Sequence, residues 1–156
     1  MTEQAHDVVE VAREFVEAIN RQDVEALVGL MTPQHQFTDS LGNVARGRDS
    51  MREGWKLYFQ MVPDYQLQVD ETYVSDSSVV MLGTAGGTYS HGFESVRATG
   101  MPILLPDGIS KVTNRWQTPA AVRARIENGK VAEWRIFADN EPVRKLMRGE
   151  TGANPG

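Results

Sequence analysis

The chain contains no cysteine. That removes disulfides, thiolate metal sites and cysteine nucleophiles, and it fits a cytosolic protein. Histidine is scarce. His6, His35 and His91 are scattered and lack metal-ligand spacing such as HExxH, so neither a metal nor another cofactor is expected. Positive charge is in deficit, with 16 Lys and Arg against 21 Asp and Glu, and no basic stripe stands out. A nucleic-acid partner is therefore not expected. No stretch approaches the roughly 20 apolar residues of a membrane span, so no membrane partner is expected either. The first residues, MTEQAHDVVEVAREF, are acidic and lack the apolar core of a secretory signal, which makes a cytoplasmic location the expectation.

What is present suits one globular domain. The 156 residues are 40% hydrophobic and 24% charged, enough for a single core. The domain is expected over residues 1–148, with residues 149–156 (GETGANPG) as a disordered tail.

Glu3–Arg21 reads as an amphipathic helix. Val8, Val11, Ala12, Phe15, Ala18 and Ile19 recur at three- and four-residue spacing. Asp23 suits the N-cap of a short second helix, Val24–Met31, closed by Pro33. A short strand follows at His35–Asp39, where alternation puts His35, Phe37 and Asp39 on one face. A third helix is predicted over Ser50–Met61, with Ser50 and Glu53 as a capping box and Met51, Trp55, Tyr58 and Phe59 on its apolar face.

The rest is β-rich. Strands are predicted at Tyr65–Val74, Val79–Thr88, Val112–Ile126 and Val131–Ala138, with a weak point at Gly86–Gly87. Residues 90–111 hold several glycines and prolines and read as a long flap, a length that is often functional. Glu141–Arg148 reads as a short helical tail. Helices segregated from an antiparallel sheet imply an α+β fold.

The last two strands meet at Asn128–Gly129, the strongest short-range hairpin signal. A two-residue turn sets Glu127 opposite Lys130. Continued unbroken, the register pairs Arg123 with Trp134 and Pro119 with Ala138, and the first pair suggests a cation–π stack. Proline has no N–H to give, so the ladder should be interrupted there, just before Asp139.

In the order and spacing of its pieces the sequence resembles the nuclear transport factor 2-like superfamily, and within it the SnoaL-like (polyketide cyclase-like) group. The pieces are INRQDVEALVGLM after the first helix, FTDSLG followed by Gly47-Arg48 and a helix, and RIENGKVAEWRIFAD. The match runs over nearly all of Asp7–Leu146. The resemblance implies a cone-shaped curved antiparallel sheet packed on the three N-terminal helices and enclosing an apolar pocket. It also implies a homodimer packed through the outer sheet face and a small apolar or aromatic molecule as the partner in the pocket.

The resemblance also offers two catalytic candidates. Asp39 falls where isomerase-like members hold a general base, and Asp139 where SnoaL-like cyclases hold an acid/base. A carboxylate in an apolar pocket can take and return a proton near neutral pH, which suits chemistry beside a carbonyl. Each acid has a plainer reading. Asp39 can bond the amides of its own turn, and Asp139 can cap the last helix. Of the two, Asp139 is preferred. The tyrosine and second acid that hold a steroid enolate are missing, since Phe15 and Ala121 stand at those positions, so ketosteroid isomerase activity is rejected.

His35, Phe15, Trp55, Tyr58, Asn114, Trp116 and Asn140 are the expected pocket residues. If His35 and Asp39 both point inward they lie about 13 Å apart along the strand, able to bracket a ligand but not to bond each other. Asn140, Asn114 or Tyr58 could hold an oxyanion. The leading reading is an acid/base cyclisation or isomerisation of a carbonyl-bearing molecule. The alternatives are a non-catalytic binding or dimeric interaction protein and an epoxide hydrolase-like enzyme using Arg115, Arg123 or Arg135.

Overall fold

The structure is a computed structural model and describes residues 2–89, 115–139 and 141. The 90–111 flap, Asn114, Asn140 and the tail beyond Glu141 lie outside the described residues. Three helices precede or interrupt a curved, open six-stranded sheet. The helices are α1 (Thr2–Asn20), α2 (Val24–Gly29) and α3 (Arg48–Met61). The strands are β1 (Met31–Thr38), β2 (Val44–Arg46), β3 (Gln66–Ser75), β4 (Ser78–Thr88), β5 (Arg115–Glu127) and β6 (Lys130–Ala138). Their order across the sheet is β2-β1-β6-β5-β4-β3.

The sheet is not wholly antiparallel, because β1 runs parallel to β6. β1 also starts earlier than the alternation of His35–Asp39 suggests. Five steps of β1, Met31 to Gln36, span only two steps of β6, Val131 to Glu133. The slack turns His35 inward, where it is fully buried.

Local chemistry sets the helix starts. The Asp23 carboxylate accepts the Ala26 N–H at 3.1 Å and caps α2. The Ser50–Glu53 box does not start α3. The N-cap is Gly47, with φ +100° and no side-chain cap. Its N–H donates to the His35 carbonyl at 2.8 Å, so the chain reversal from β2 is fixed by backbone bonds. Only glycine adopts that φ without strain, and the helix therefore begins two residues before Ser50.

β5 and β6 form the Asn-Gly hairpin, with φ +52° at Asn128 and +76° at Gly129, as a type I′ turn requires. Glu127 faces Lys130, but the unbroken register fails two residues later. Ile126 pairs with Val131 and Arg125 with Glu133, leaving Ala132 as a bulge. Both Val131 and Ala132 are consequently buried. The slip sets Arg123 opposite Arg135 rather than Trp134, so the Arg123–Trp134 stack is replaced. Arg123 instead reaches Glu133 at 2.6 Å, and Arg135 lies over Phe137. Pairing with β6 ends at Ala120 and Ala138, and Pro119 keeps only Thr84 of β4 as its partner.

A second bulge, at Asp70, bends β3 against β4. Gly83 sits beside it. A Cβ there would stand 1.7 Å from the Gln68 carbonyl oxygen, so only glycine allows the strands this close. β4 does not end at Gly86 and Gly87 but runs on through both to Thr88. The core lies between the inner sheet face and the helices. α1 packs on β3 to β6, and α3 packs on β1, β2 and α2. No described helix is long and apolar enough to cross a membrane.

Candidate functional site

Where α3 stands away from the sheet, the fold leaves an open cavity of about 570 Å³. That lies within the range of small-molecule sites. α3 supplies Met51, Trp55 and Tyr58. β1 and the turn after it supply Phe37, Asp39, Ser40, Leu41 and Asn43, and β2 supplies Val44 and Ala45. The inner faces of β5 and β6 contribute Trp116, Thr118, Trp134, Ile136 and Ala138, and Tyr65 enters just before β3.

Aromatic rings form a continuous arc. Phe37 meets Trp55 at 6.1 Å between centroids, Trp55 meets Tyr58 at 6.3 Å, Tyr58 meets Tyr65 at 5.1 Å and Tyr65 meets Trp116 at 6.2 Å. Such edge and tilted contacts suit the ring quadrupoles and hold the arc rigid. Burial raises the Tyr58 phenol well above its ordinary value, with Tyr65 adding to the effect, and burial alone raises Tyr65. Both phenols thus stay protonated at neutral pH and can donate a hydrogen bond. The indole Nε1 atoms of Trp55 and Trp116 are buried without a hydrogen-bond partner among the described residues. Leaving such a donor unsatisfied costs about 1–3 kcal/mol.

Asp39 is the one acidic residue of the described wall, which holds no Lys, Arg or His. Its carboxylate also organises the turn. Oδ1 accepts the N–H groups of Leu41 and Asn43, each at 2.9 Å, and Oδ2 accepts Asn43 Nδ2 at 3.1 Å. The backbone closes the same turn, with Asp39 N–H donating to the Asn43 carbonyl at 2.9 Å. The plain turn role and the place in the cavity wall therefore coexist in one residue.

Asp139 is placed differently. It is exposed, is absent from the described cavity wall, and its Oδ1 accepts the Glu141 N–H at 3.0 Å. Alternation explains this. Trp134, Ile136 and Ala138 face inward, so Glu133, Arg135, Phe137 and then Asp139 fall on the other side. The period of two was readable in WRIFAD, and it ranks Asp39 above Asp139, the reverse of the order taken from the resemblance.

The other candidates divide. Trp55, Tyr58 and Trp116 line the cavity. Phe15 and His35 lie behind it in the core, where Phe15 packs on His35 at 6.0 Å and on Trp134 at 4.5 Å. His35 Nδ1 lies 2.8 Å from the Val131 carbonyl oxygen, and burial lowers its pKa. None of the three arginines reaches the described wall. Arg115 is exposed 3.6 Å from Asp64, and Arg123 and Arg135 lie on the outer sheet face. Tyr65, Asn43 and Thr118 are wall residues that pattern reading missed. Tyr65 opens the predicted strand Tyr65–Val74 and is buried on the same side as Leu67, so its direction was legible, but alternation alone does not separate a cavity wall from the core. A second groove of about 390 Å³ beside Arg115 and Asp64 is polar, and its Asn20 and Gln66 amides are already bonded to backbone.

The comparisons agree with this architecture. The family model described as SnoaL-like domain matches residues 12–134. No curated protein matches in sequence. A protein of Jannaschia sp. CCS1, named for SnoaL-like polyketide cyclases, superposes with TM-score 0.72 at 18% identity, covering 92% of this chain and 93% of its own. A Catenulispora acidiphila protein described by a ketosteroid isomerase-like fold gives 0.68 at 14%, covering 92% and 95%. An M. tuberculosis LEH-like epoxide hydrolase gives 0.68 at 12%, covering 93% and 92%. At these identities the solved structures speak for the fold, and the family model, which spans most of the chain, assigns it to the SnoaL-like domain family.

Proposed function

We propose that this protein binds a small, mostly apolar, carbonyl-bearing molecule in the cavity and that Asp39 exchanges a proton with the carbon beside that carbonyl. One observation carries this reading: an aromatic cavity whose described wall holds hydrogen-bond donors, a single carboxylate and no cation. Donors favour an oxygen acceptor. The lack of a cation disfavours a carboxylate or phosphate, which would lose its hydration unpaired. A carboxylate beside a bound ketone suits general base catalysis, with the donors taking up developing enolate charge. The cyclase-type name of the Jannaschia protein points the same way. An epoxide hydrolase-like mechanism has less support, since it needs an arginine that the described wall lacks.

A second reading is binding without catalysis. It is favoured by the three turn donors that already occupy the Asp39 carboxylate.

The test separates the two. Binding of 2-tetralone is read by thermal stabilisation, and loss of its α-protons in deuterated buffer is read by NMR. Wild type should bind and accelerate exchange. Asp39→Asn keeps an oxygen for the Leu41 and Asn43 amides, so it should bind with exchange reduced at least ~100-fold, in the range of general base contributions. Binding without accelerated exchange by wild type favours the non-catalytic reading. Exchange lost in Asp139→Asn but kept in Asp39→Asn returns the role to Asp139.

A further inference from the structure

Trp55 and Trp116 are each 7% exposed, and neither indole Nε1 has a hydrogen-bond partner in the protein among the described residues. They sit on separate elements, α3 and β5, at two places along the same aromatic arc, with Tyr58 and Tyr65 between them. Packing alone does not call for the nitrogens, because a phenyl ring would cover much of the same apolar surface. Phe59, its ring tilted against Trp55 at 5.3 Å between centroids, does so one turn further along the helix. Trp134 shares the wall, yet its nitrogen is not among the orphaned atoms. Indole can only donate. Two orphaned donors in one apolar wall therefore ask for two acceptor oxygens from outside the protein.

We propose that Trp55 and Trp116 are specificity-determining residues whose N–H groups each take one oxygen of the bound molecule. The inference rests on the ligand class proposed above and sharpens it. The preferred compound carries two carbonyl or enol oxygens on one edge of an apolar ring system. Neither nitrogen is open at the cavity surface, so each indole turns slightly toward the ligand as the bond forms. The chemistry selected is that of a neutral 1,3-dicarbonyl or its enol, in which both oxygens face the aromatic arc.

Three probes of one skeleton test this. Tetralin has no oxygen, 1-tetralone has one and 2-acetyl-1-tetralone has two. Wild type should bind them in rising order of affinity by calorimetry. Trp55→Phe and Trp116→Phe keep an aromatic ring and remove the N–H. Each should lower the preference for the diketone over tetralin by about five-fold, the value of one ordinary hydrogen bond. A merely structural role would weaken all three probes alike, and an unchanged diketone-to-tetralin ratio in both variants overturns the proposal. If a variant fails to fold, the indole ¹H–¹⁵N resonances of the wild type decide. Two of the three should move downfield with the diketone and stay in place with tetralin, and equal responses to both probes overturn the assignment. Binding of all three probes without preference would sink this inference and leave an apolar site standing. Binding of none would sink the proposed ligand class along with it.

Discussion

His35 has its whole side chain out of solvent, with Nδ1 2.8 Å from a carbonyl oxygen. A carbonyl can only accept, so Nδ1 carries the proton. Nε2 is buried without a partner among the described residues, so protonating it would place an unpaired N–H⁺ in the core. Burial therefore lowers the pKa of this histidine, opposed in part by the Val131 carbonyl and Glu133. The unfolded chain titrates near 6.5. Below that pH the unfolded state binds the extra proton before the folded state does, so stability is full above about 6.5 and is lost as pH falls through the folded-state value. Urea unfolding at pH 7.5 and 5.5 should show a drop in wild type that shrinks in His35→Phe. The variant should also be about 1–3 kcal/mol less stable at pH 7.5, because the Val131 carbonyl loses its donor. An equal pH dependence in both proteins would refute the assignment. At this scale the sequence was partly legible. Trp55, Tyr58 and Trp116 could be placed because a helical or strand period marks which way each points. The choice between Asp39 and Asp139 went to the resemblance, although alternation with Phe37 and with Ala138 already separated them.

The hairpin and the paired strands β3 and β4 each depend on a glycine, for different reasons. Gly129 has φ +76° and open space around its Cα, so Gly129→Ala meets only a backbone penalty of about 1–2 kcal/mol. Gly83 has no positive φ but faces the Gln68 carbonyl, so Gly83→Ala must push β3 off β4 and should cost about 1–3 kcal/mol or more. Guanidinium unfolding should rank Gly83→Ala below Gly129→Ala. Amide exchange should accelerate along β3 in the former and only near the turn in the latter. The opposite ranking would mean that the bulge at Asp70 can absorb a methyl group. The Asn-Gly turn was legible because its requirement is local. The bulge at Ala132 was not, because Val131 is held from both sides by Leu30 at the end of α2 and His35 of β1. The Val131 N–H donates to Leu30 at 2.6 Å and its carbonyl meets His35, so β6 must yield to a neighbour remote in sequence. The start of α3 differs for the same kind of reason, as the Ser50–Glu53 capping box yields to the positive φ of Gly47 and its bond to His35.

Across the whole molecule these irregularities act together. Bulges at Asp70 and Ala132 and the slack in β1 curve the sheet, and α3 stands far enough from the curve to leave a cavity. Folding has gathered six aromatic side chains there while leaving every Lys and Arg of the described chain outside the wall. The protein carries a net charge of −5, and Asp39 is the one acidic side chain in the described wall. An anionic ligand would meet a like charge and lose its hydration with no ion pair in return, a cost that grows as the effective dielectric falls. A neutral ketone meets no such cost, and at 100 times its dissociation constant it should stabilise the fold by about 2.7 kcal/mol. Adding a carboxylate to the ring of 1-tetralone should therefore weaken binding at least ~10-fold, which corresponds to 1.4 kcal/mol. Asp39→Asn should recover part of that loss. For the parent ketone, raising salt from ~0.05 M to ~0.5 M should change affinity less than about two-fold, since no long-range attraction is there to screen. Tighter binding of the carboxylate than of the ketone would show that a cation reaches the ligand after all, and would replace a neutral-acceptor site with an anion site.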